Sequence, residues 1–203
     1  MQTTKDLKKS SSSKGLPLKN QKKTKTIREL GPVDISSVKE AILNISEEVW
    51  AANNATKPNK FVEFHSTEHI IFKFVDNFND YSKSSTTPIW EKWKDRLLPL
   101  MEKAVAPYGY KKGVFSRIML AKLAPKGVIN AHVDGKLNAV FPHKIHIPIK
   151  TNPEVKFFVN PKNYFFEEGF AYEVNNRKVH FVENNGDEPR IHLIFEYWSE
   201  ECT

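Results

Sequence analysis

Residues 130–198 carry four histidine-bearing motifs whose spacing could build a metal site: His132-Val133-Asp134, His143-Lys144-Ile145-His146, the lone His180, and Arg190-Ile191-His192. On an extended strand, residues two apart point the same way. His132 and Asp134 therefore present an imidazole and a carboxylate to one side, and Gly135 lets the chain turn just after them. A His-x-Asp pair alone is expected about once by chance in a chain of this size. It gains weight from His180, 48 residues later at the head of a predicted strand, because a jelly roll brings distant strand ends together. Two histidines and a carboxylate on one face leave octahedral positions open, which suits non-haem Fe(II), although the same residue types also fit zinc or manganese.

Arg190 bears on that choice. It follows His180 by ten residues, across one turn, at the start of the next predicted strand. A buried guanidinium needs a partner, and the distal carboxylate of 2-oxoglutarate would supply one bidentately. The strand over residues 144–149 points the same way. Ile145, Ile147 and Ile149 share one face, while Lys144 and His146 share the other, which predicts a polar-lined cavity. His65 and His69 are four apart, but the surrounding residues read as strand. There the two side chains would stand about 13 Å apart, so a structural or peripheral role is expected for both.

The elements that must position these groups follow from periodicity. Val38, Ile42, Ile45 and Val49 predict an amphipathic helix over residues 36–51, with Ser37 and Glu40 as a capping box. Alternation predicts strands at 61–65 and 69–75, the latter with Ile70, Phe72 and Phe74 on one face. Thr87-Pro88 opens a helix over 90–105 that Pro99 is expected to break or restart. From Val114 onward the chain is a run of short strands, at 114–123, 128–133, 144–149, 155–159, 170–174, 180–182 and 190–197, separated by polar turns. The pattern predicts a mainly β fold with flanking helices, a double-stranded β-helix or cupin-like jelly roll with the helices on one outer face.

Composition sets the frame. A chain of 203 residues that is 39% hydrophobic supports one substantial core. Its one cysteine, Cys202, excludes an intrachain disulfide and a cysteine-rich zinc site. No apolar run approaches a membrane span, and the lysines near the start precede no apolar stretch, so a soluble, cytoplasmic protein is expected. The formal charge of +7 is unevenly spread: in residues 1–28, eight lysines and Arg28 against Asp6 give +8, leaving −1 for the remaining 175 residues. The expected organisation is a disordered basic tail at 1–28 and a single domain at 29–203, with helices and strands over 29–113 and a catalytic core over 114–198. The tail could contact nucleic acid or another acidic partner through nonspecific charge.

Taken in order, His132-x-Asp134, His143-Lys144-Ile145-His146-Ile147-Pro148-Ile149, Glu167-Glu168-Gly169, His180 and Arg190-Ile191-His192-Leu193-Ile194 resemble the aspartyl/asparaginyl β-hydroxylase family of 2-oxoglutarate oxygenases. The resemblance covers residues 114–198 well and 30–113 loosely. It implies a double-stranded β-helix using Fe(II), 2-oxoglutarate and O2, with His132, Asp134 and His180 as metal ligands. Arg190 would then hold the distal carboxylate of the cosubstrate, and Lys144 and His146 would assist its binding. The implied reaction hydroxylates an amino-acid side chain, free, peptidyl or in a protein, of Asp, Asn or Pro type, and converts 2-oxoglutarate to succinate. The family often has arginine where this chain has Lys144, which makes a bidentate contact a point charge. Family members acting on EGF-like domains lack the triad carboxylate, so Asp134 places the chain nearer those with a complete triad. The alternatives are a non-enzymatic cupin-like binding module docking through the basic tail, and a metal-dependent cupin enzyme without 2-oxoglutarate, which would leave Arg190 without a partner.

Overall fold

The computed structural model describes residues 23–134 and 140–200. In chain order the elements are β1 (Ile27–Pro32), α1 (Ser36–Leu43), α2 (Glu47–Thr56), β2 (Thr67–Asn77), β3 (Asp80–Thr86), α3 (Trp90–Val105), β4 (Val114–Leu123), β5 (Val128–His132), β6 (His143–Lys150), β7 (Val155–Val159), β8 (Lys162–Tyr164), β9 (Phe170–Val174), β10 (His180–Asn184) and β11 (Arg190–Trp198). They form a seven-stranded sheet in the order β1-β9-β6-β11-β4-β2-β3 and a four-stranded sheet in the order β5-β10-β7-β8. Every pairing is antiparallel. The two sheets face each other across a cavity, the double-stranded β-helix that the strand pattern predicts.

Strand alternation divides the large sheet into two chemistries. On its outer face Ile145, Ile147, Ile149, Leu193 and Phe195 are fully buried in one cluster with Val38 and Ile42 of α1 and Leu97 and Met101 of α3. Each such side chain contributes about 1.5–3 kcal/mol through removal from water, so the helices clamp this face. Between the sheets a second cluster of Leu123, Phe157, Val159, Tyr172, Val174 and Val182 closes one part of the interior.

Several expectations change on contact with tertiary structure. The segment 36–51 is two helices rather than one, broken near Asn44, and the Ser37/Glu40 capping box does not form because Ile35 occupies the N-cap. The Ser46 hydroxyl instead accepts from the Val49 amide and starts α2. Val49 is exposed while Trp50 is buried, so the helical stripe shifts by one residue after the break. Residues 61–65 are not a strand: Val62–Phe64 forms a short 3-10 turn. In β2 a register shift between Ile71 and Lys73 sends Phe74 to the opposite face from Ile70 and Phe72, as a bulge does. Helix α3 passes through Pro99 without interruption.

The boundary of the expected disordered tail, 1–28, also moves. Residues 1–22 lie outside the described residues. Thr24, however, donates its amide to Glu173 Oε1 at 3.2 Å, and Ile27 and Arg28 pair with Val174 and Glu173 at the sheet edge. Arg28 Nη1 lies 3.1 Å from the fully buried Glu173 carboxylate, a partner that no local sequence pattern reveals. Beyond these, β3 and β8 are strands that the alternation does not announce.

Candidate metal centre

The four-stranded sheet supplies the chemistry. His132 ends β5 and His180 begins β10, and the two residues are direct partners in the ladder, so their rings lie side by side, centroids 4.2 Å apart and planes tilted by 51°. Asp134 follows two residues on. One ligand atom each from His132, Asp134 and His180 lies within 4.8 Å of the others. His132 Nδ1 faces the Asn130 carbonyl at 2.7 Å and His180 Nδ1 faces the Lys178 carbonyl at 2.9 Å. A carbonyl only accepts, so each Nδ1 carries a proton and Nε2 is the ring nitrogen left for a metal. Backbone contacts of this kind fix both the tautomer and the ring orientation of a ligating histidine.

The carboxylate is held just as firmly. Lys144 Nζ donates to Asp134 Oδ2 at 2.6 Å, as does Asn176 Nδ2 at 2.8 Å. The Asp134 amide donates to the Asn176 carbonyl at 2.9 Å, and Arg177 Nη1 donates to the Asp134 carbonyl at 3.0 Å. Burial opposes ionisation of Asp134, but the charges of Lys144 and His180 and the two side-chain bonds win, holding its pKa far below the ordinary carboxylate range. Burial, with His132 and Lys144 adding to it against the pull of Asp134, lowers His180 to about 4, so its ring is neutral at neutral pH. One anionic carboxylate and two imidazoles that present Nε2 form the donor set that a divalent first-row metal takes.

From the triad a cavity of about 270 Å³ runs between the sheets. Its walls include Phe61, Phe64, Phe74, Phe78, Met119 and Ile194, with His146 and Arg190 among the polar groups. Arg190 is 1% exposed. Its Nη2 donates to His192 Nδ1 at 2.6 Å, and its Nε and Nη1 have no partner among the described residues. Burial lowers its pKa to about 9, which still leaves it charged at neutral pH. Burial and then the Arg190 charge push His146 and His192 well below the usual histidine range, so both are neutral there. A buried, charged guanidinium with two open nitrogens is costly unless an anion completes it.

The structure therefore brings His132, Asp134, His180, Lys144, His146 and Arg190 to one cavity. Lys144 is engaged by Asp134, next to the triad, whereas Arg190 stands at the other end. The register of β6 against β11 sets His146 opposite Ile194, between Lys144 opposite Glu196 and the position of Arg190. His65 is exposed and turned to the Val62 carbonyl, away from the site. His69 is buried and lines the cavity, with Nδ1 against Lys57 Nζ at 3.1 Å.

Asn176, Arg177, Phe64 and His192 are site residues without a role in the sequence reading. Asn176 lies within an Asn-Asn turn four residues before His180, and that fixed offset is its one available signal. Phe64, whose ring meets His132 edge-on at 5.3 Å, belongs to the 3-10 turn that alternation reads as strand.

A family model described as aspartyl/asparaginyl β-hydroxylase matches residues 83–200, more than half of the chain. No curated protein sequence matches it. Among solved structures, the viral collagen prolyl hydroxylase vCPH from Paramecium bursaria Chlorella virus-1, in complex with 2-oxoglutarate, is similar over 85% of this chain and 96% of its own, at 10% identity and a TM-score of 0.50. The non-heme monooxygenase ThoJ, in a nickel complex, is similar over 86% of this chain and 74% of its own, at 10% identity and a TM-score of 0.53. At such identities the likeness is one of fold.

Proposed function

The chain belongs to the aspartyl/asparaginyl β-hydroxylase family of oxygenases, and from that premise we propose that it hydroxylates an amino-acid-type substrate at an Fe(II) centre, using 2-oxoglutarate and O2. His132, Asp134 and His180 hold the metal, and Arg190 receives the distal carboxylate of 2-oxoglutarate. Bound Fe(II) with its cosubstrate supplies the oxidising power for inserting a hydroxyl into a C–H bond, with 2-oxoglutarate leaving as succinate and CO2.

The observation that carries this reading is the pairing, in one cavity, of a divalent-metal donor set with a buried guanidinium whose Nε and Nη1 lack acceptors. A metal site without an acidic cosubstrate would leave that guanidinium uncompensated. The chain's own groups divide the work. Lys144 and Asn176 orient the Asp134 carboxylate. Lys144 and His146 line the wall between the triad and Arg190, where a keto acid lies. The phenylalanines of the mouth keep water from the reacting end. The basic residues 1–22, outside those described, take no part in this reading.

The test is anaerobic addition of Fe(II) and then 2-oxoglutarate. A weak visible charge-transfer band is expected, followed by succinate release on admitting O2. A folded protein that gives neither band nor succinate overturns the proposal. A zinc or manganese cupin activity predicts the same metal affinity but no response to 2-oxoglutarate, and so separates from it in this one titration.

A further inference from the structure

The cavity contains a second arginine, Arg117, to which the cosubstrate reading assigns no role. Arg117, on β4, has an 11% exposed side chain and donates Nη1 to Glu196 Oε1 at 3.0 Å. Among the described residues its Nε is enclosed with no acceptor, and Glu196 Oε2 has no hydrogen-bond donor, though the charge of Lys23 acts on Glu196. The guanidinium lies over the Phe74 ring at 4.7 Å from the centroid and stands 5.9 Å from that of Phe78, contacts that fix its plane.

Strand register places Arg117 with respect to the rest of the site. Arg117 is the partner of Glu196, and Glu196 is the partner of Lys144, whose ammonium holds Asp134. Arg117 thus sits at the triad end, two strand spacings or about 10 Å across the sheet from Lys144. Arg190 pairs with Leu123, six residues along the same two strands, which puts it about 20 Å from Arg117 along the backbone. Arg117 and Arg190 thus stand toward opposite ends of the same pair of strands, and the cosubstrate reading assigns no role to Arg117. The second guanidinium keeps one edge, at Nε, without an acceptor among the described residues, in a cavity whose lining includes Phe64, Phe74, Phe78 and Met119 together with Asn59, Glu63 and Thr67. Charge-assisted bonding of a carboxylate is the chemistry that completes such an edge.

We propose that Arg117 anchors the substrate, and that the substrate is a small carboxylic acid with an apolar body, such as a free apolar amino acid. Its carboxylate sits on Arg117 and its body lies against Phe64, Phe74 and Met119, which presents a C–H bond to the triad. The proposal rests on the hydroxylase reading and narrows it. Arg117 touches the substrate and not the metal, so its removal acts on substrate choice.

The test uses 3-phenylpropionate, L-leucine and L-phenylalanine, each with its primary amide, as matched probes on the full chain. Binding is measured by ligand-observed NMR on metal-free protein, and stimulation of succinate release is measured on the Fe(II)-loaded protein. The acids are expected to bind about tenfold or more tightly than the amides, the scale of one hydrogen-bonded charge. That preference disappears in Arg117→Met and falls without vanishing in Arg117→Lys, which keeps the charge and loses the fork. If the methionine variant does not fold, as judged by its thermal transition, Arg117→Gln, which is also neutral, takes its place. Equal binding of acid and amide, binding of neither, or an acid preference that survives undiminished in the neutral variant overturns the proposal. Because the NMR arm needs neither iron nor 2-oxoglutarate, an acid preference in a protein that never releases succinate would sink the hydroxylase reading and leave the carboxylate site standing.

Discussion

The two faces of β6 and β11 are built from the same strands and differ in nearly everything else. On the helix side, Ile145, Ile147, Ile149, Leu193 and Phe195 meet aliphatic partners and are fully buried. On the cavity side, Lys144, His146, Arg190 and His192 are held in a row, and Arg190 Nε, Arg190 Nη1 and His192 Nε2 lack partners. The first face obtains its stability from contacts already made. The second gives stability up, because buried polar groups without partners cost free energy that a ligand later returns. The contrast predicts that substitutions on the two faces will have opposite signatures, one on activity and the other on unfolding.

The largest effect is expected at the triad. His180→Ala removes one of two histidine ligands that the β5–β10 ladder places side by side, and both Fe(II) retention and succinate release should fall to background. The metal-free protein should still fold but melt somewhat lower, since the buried His180 ring packs on that of His132. Metal analysis after desalting, with a thermal melt alongside, checks both halves. Retained stoichiometric iron would remove His180 from the ligand set.

Next in size is Arg190→Met. Loss of a buried, charge-paired anchor costs about 2–4 kcal/mol in binding, a fall of roughly 30- to 1000-fold in 2-oxoglutarate affinity. Without ligand, stability should stay level or rise, because an incompletely bonded guanidinium is exchanged for an apolar side chain of similar length. Wild type should melt higher when 2-oxoglutarate is added with metal, and the variant should not. The opposite face gives the mirror image: Ile147→Ala should lower unfolding stability by about 2–5 kcal/mol while leaving the affinity of the surviving folded protein for 2-oxoglutarate within a factor of a few. If Ile147→Ala weakened cosubstrate binding as much as Arg190→Met does, the two faces would not be independent.

This division also explains what was legible in the sequence. β6 and β11 alternate cleanly, so their ranges, their inward-facing residues and the His132, Asp134, His180 and Arg190 set could be read from spacing. The site's supports could not. Asn176 and Arg177 hold Asp134 through contacts between residues more than forty positions apart, and nothing local distinguishes them from ordinary turn residues. Elements outside the double-stranded core were misread for related reasons. The strand pattern of residues 61–65 gives way to a 3-10 turn whose Phe64 packs on His132 and His69, and the alternation of β2 is broken by a bulge that turns Phe74 toward Arg117. In both cases tertiary contacts at the cavity override local periodicity, which is where such overrides are expected to concentrate.

The smallest expected effect concerns His69, which lies on the cavity face of the large sheet but is already partnered. Burial, and after it the positive charges of Lys57, Lys144 and Arg190, lower its pKa to about 3 from the ordinary histidine value. The Lys57 ammonium can only donate, so His69 Nδ1 accepts from it across 3.1 Å and the ring is neutral in the folded state. In the unfolded chain the same ring protonates near pH 6.5. Between those values the unfolded state binds the extra proton. The contribution of His69 is therefore fully present above about pH 6.5 and is lost as pH falls toward 3, by at most about 1.4 kcal/mol per pH unit. His69→Gln supplies a neutral acceptor for Lys57 and does not titrate. It should flatten the acid side of a denaturant-derived stability profile while changing stability at pH 8 much less. An unchanged slope would mean that His69 is protonated in the folded protein, which its contact with Lys57 forbids. It would also remove the distinction between a cavity residue whose partner is in place and one, such as Arg190, whose partner has yet to arrive.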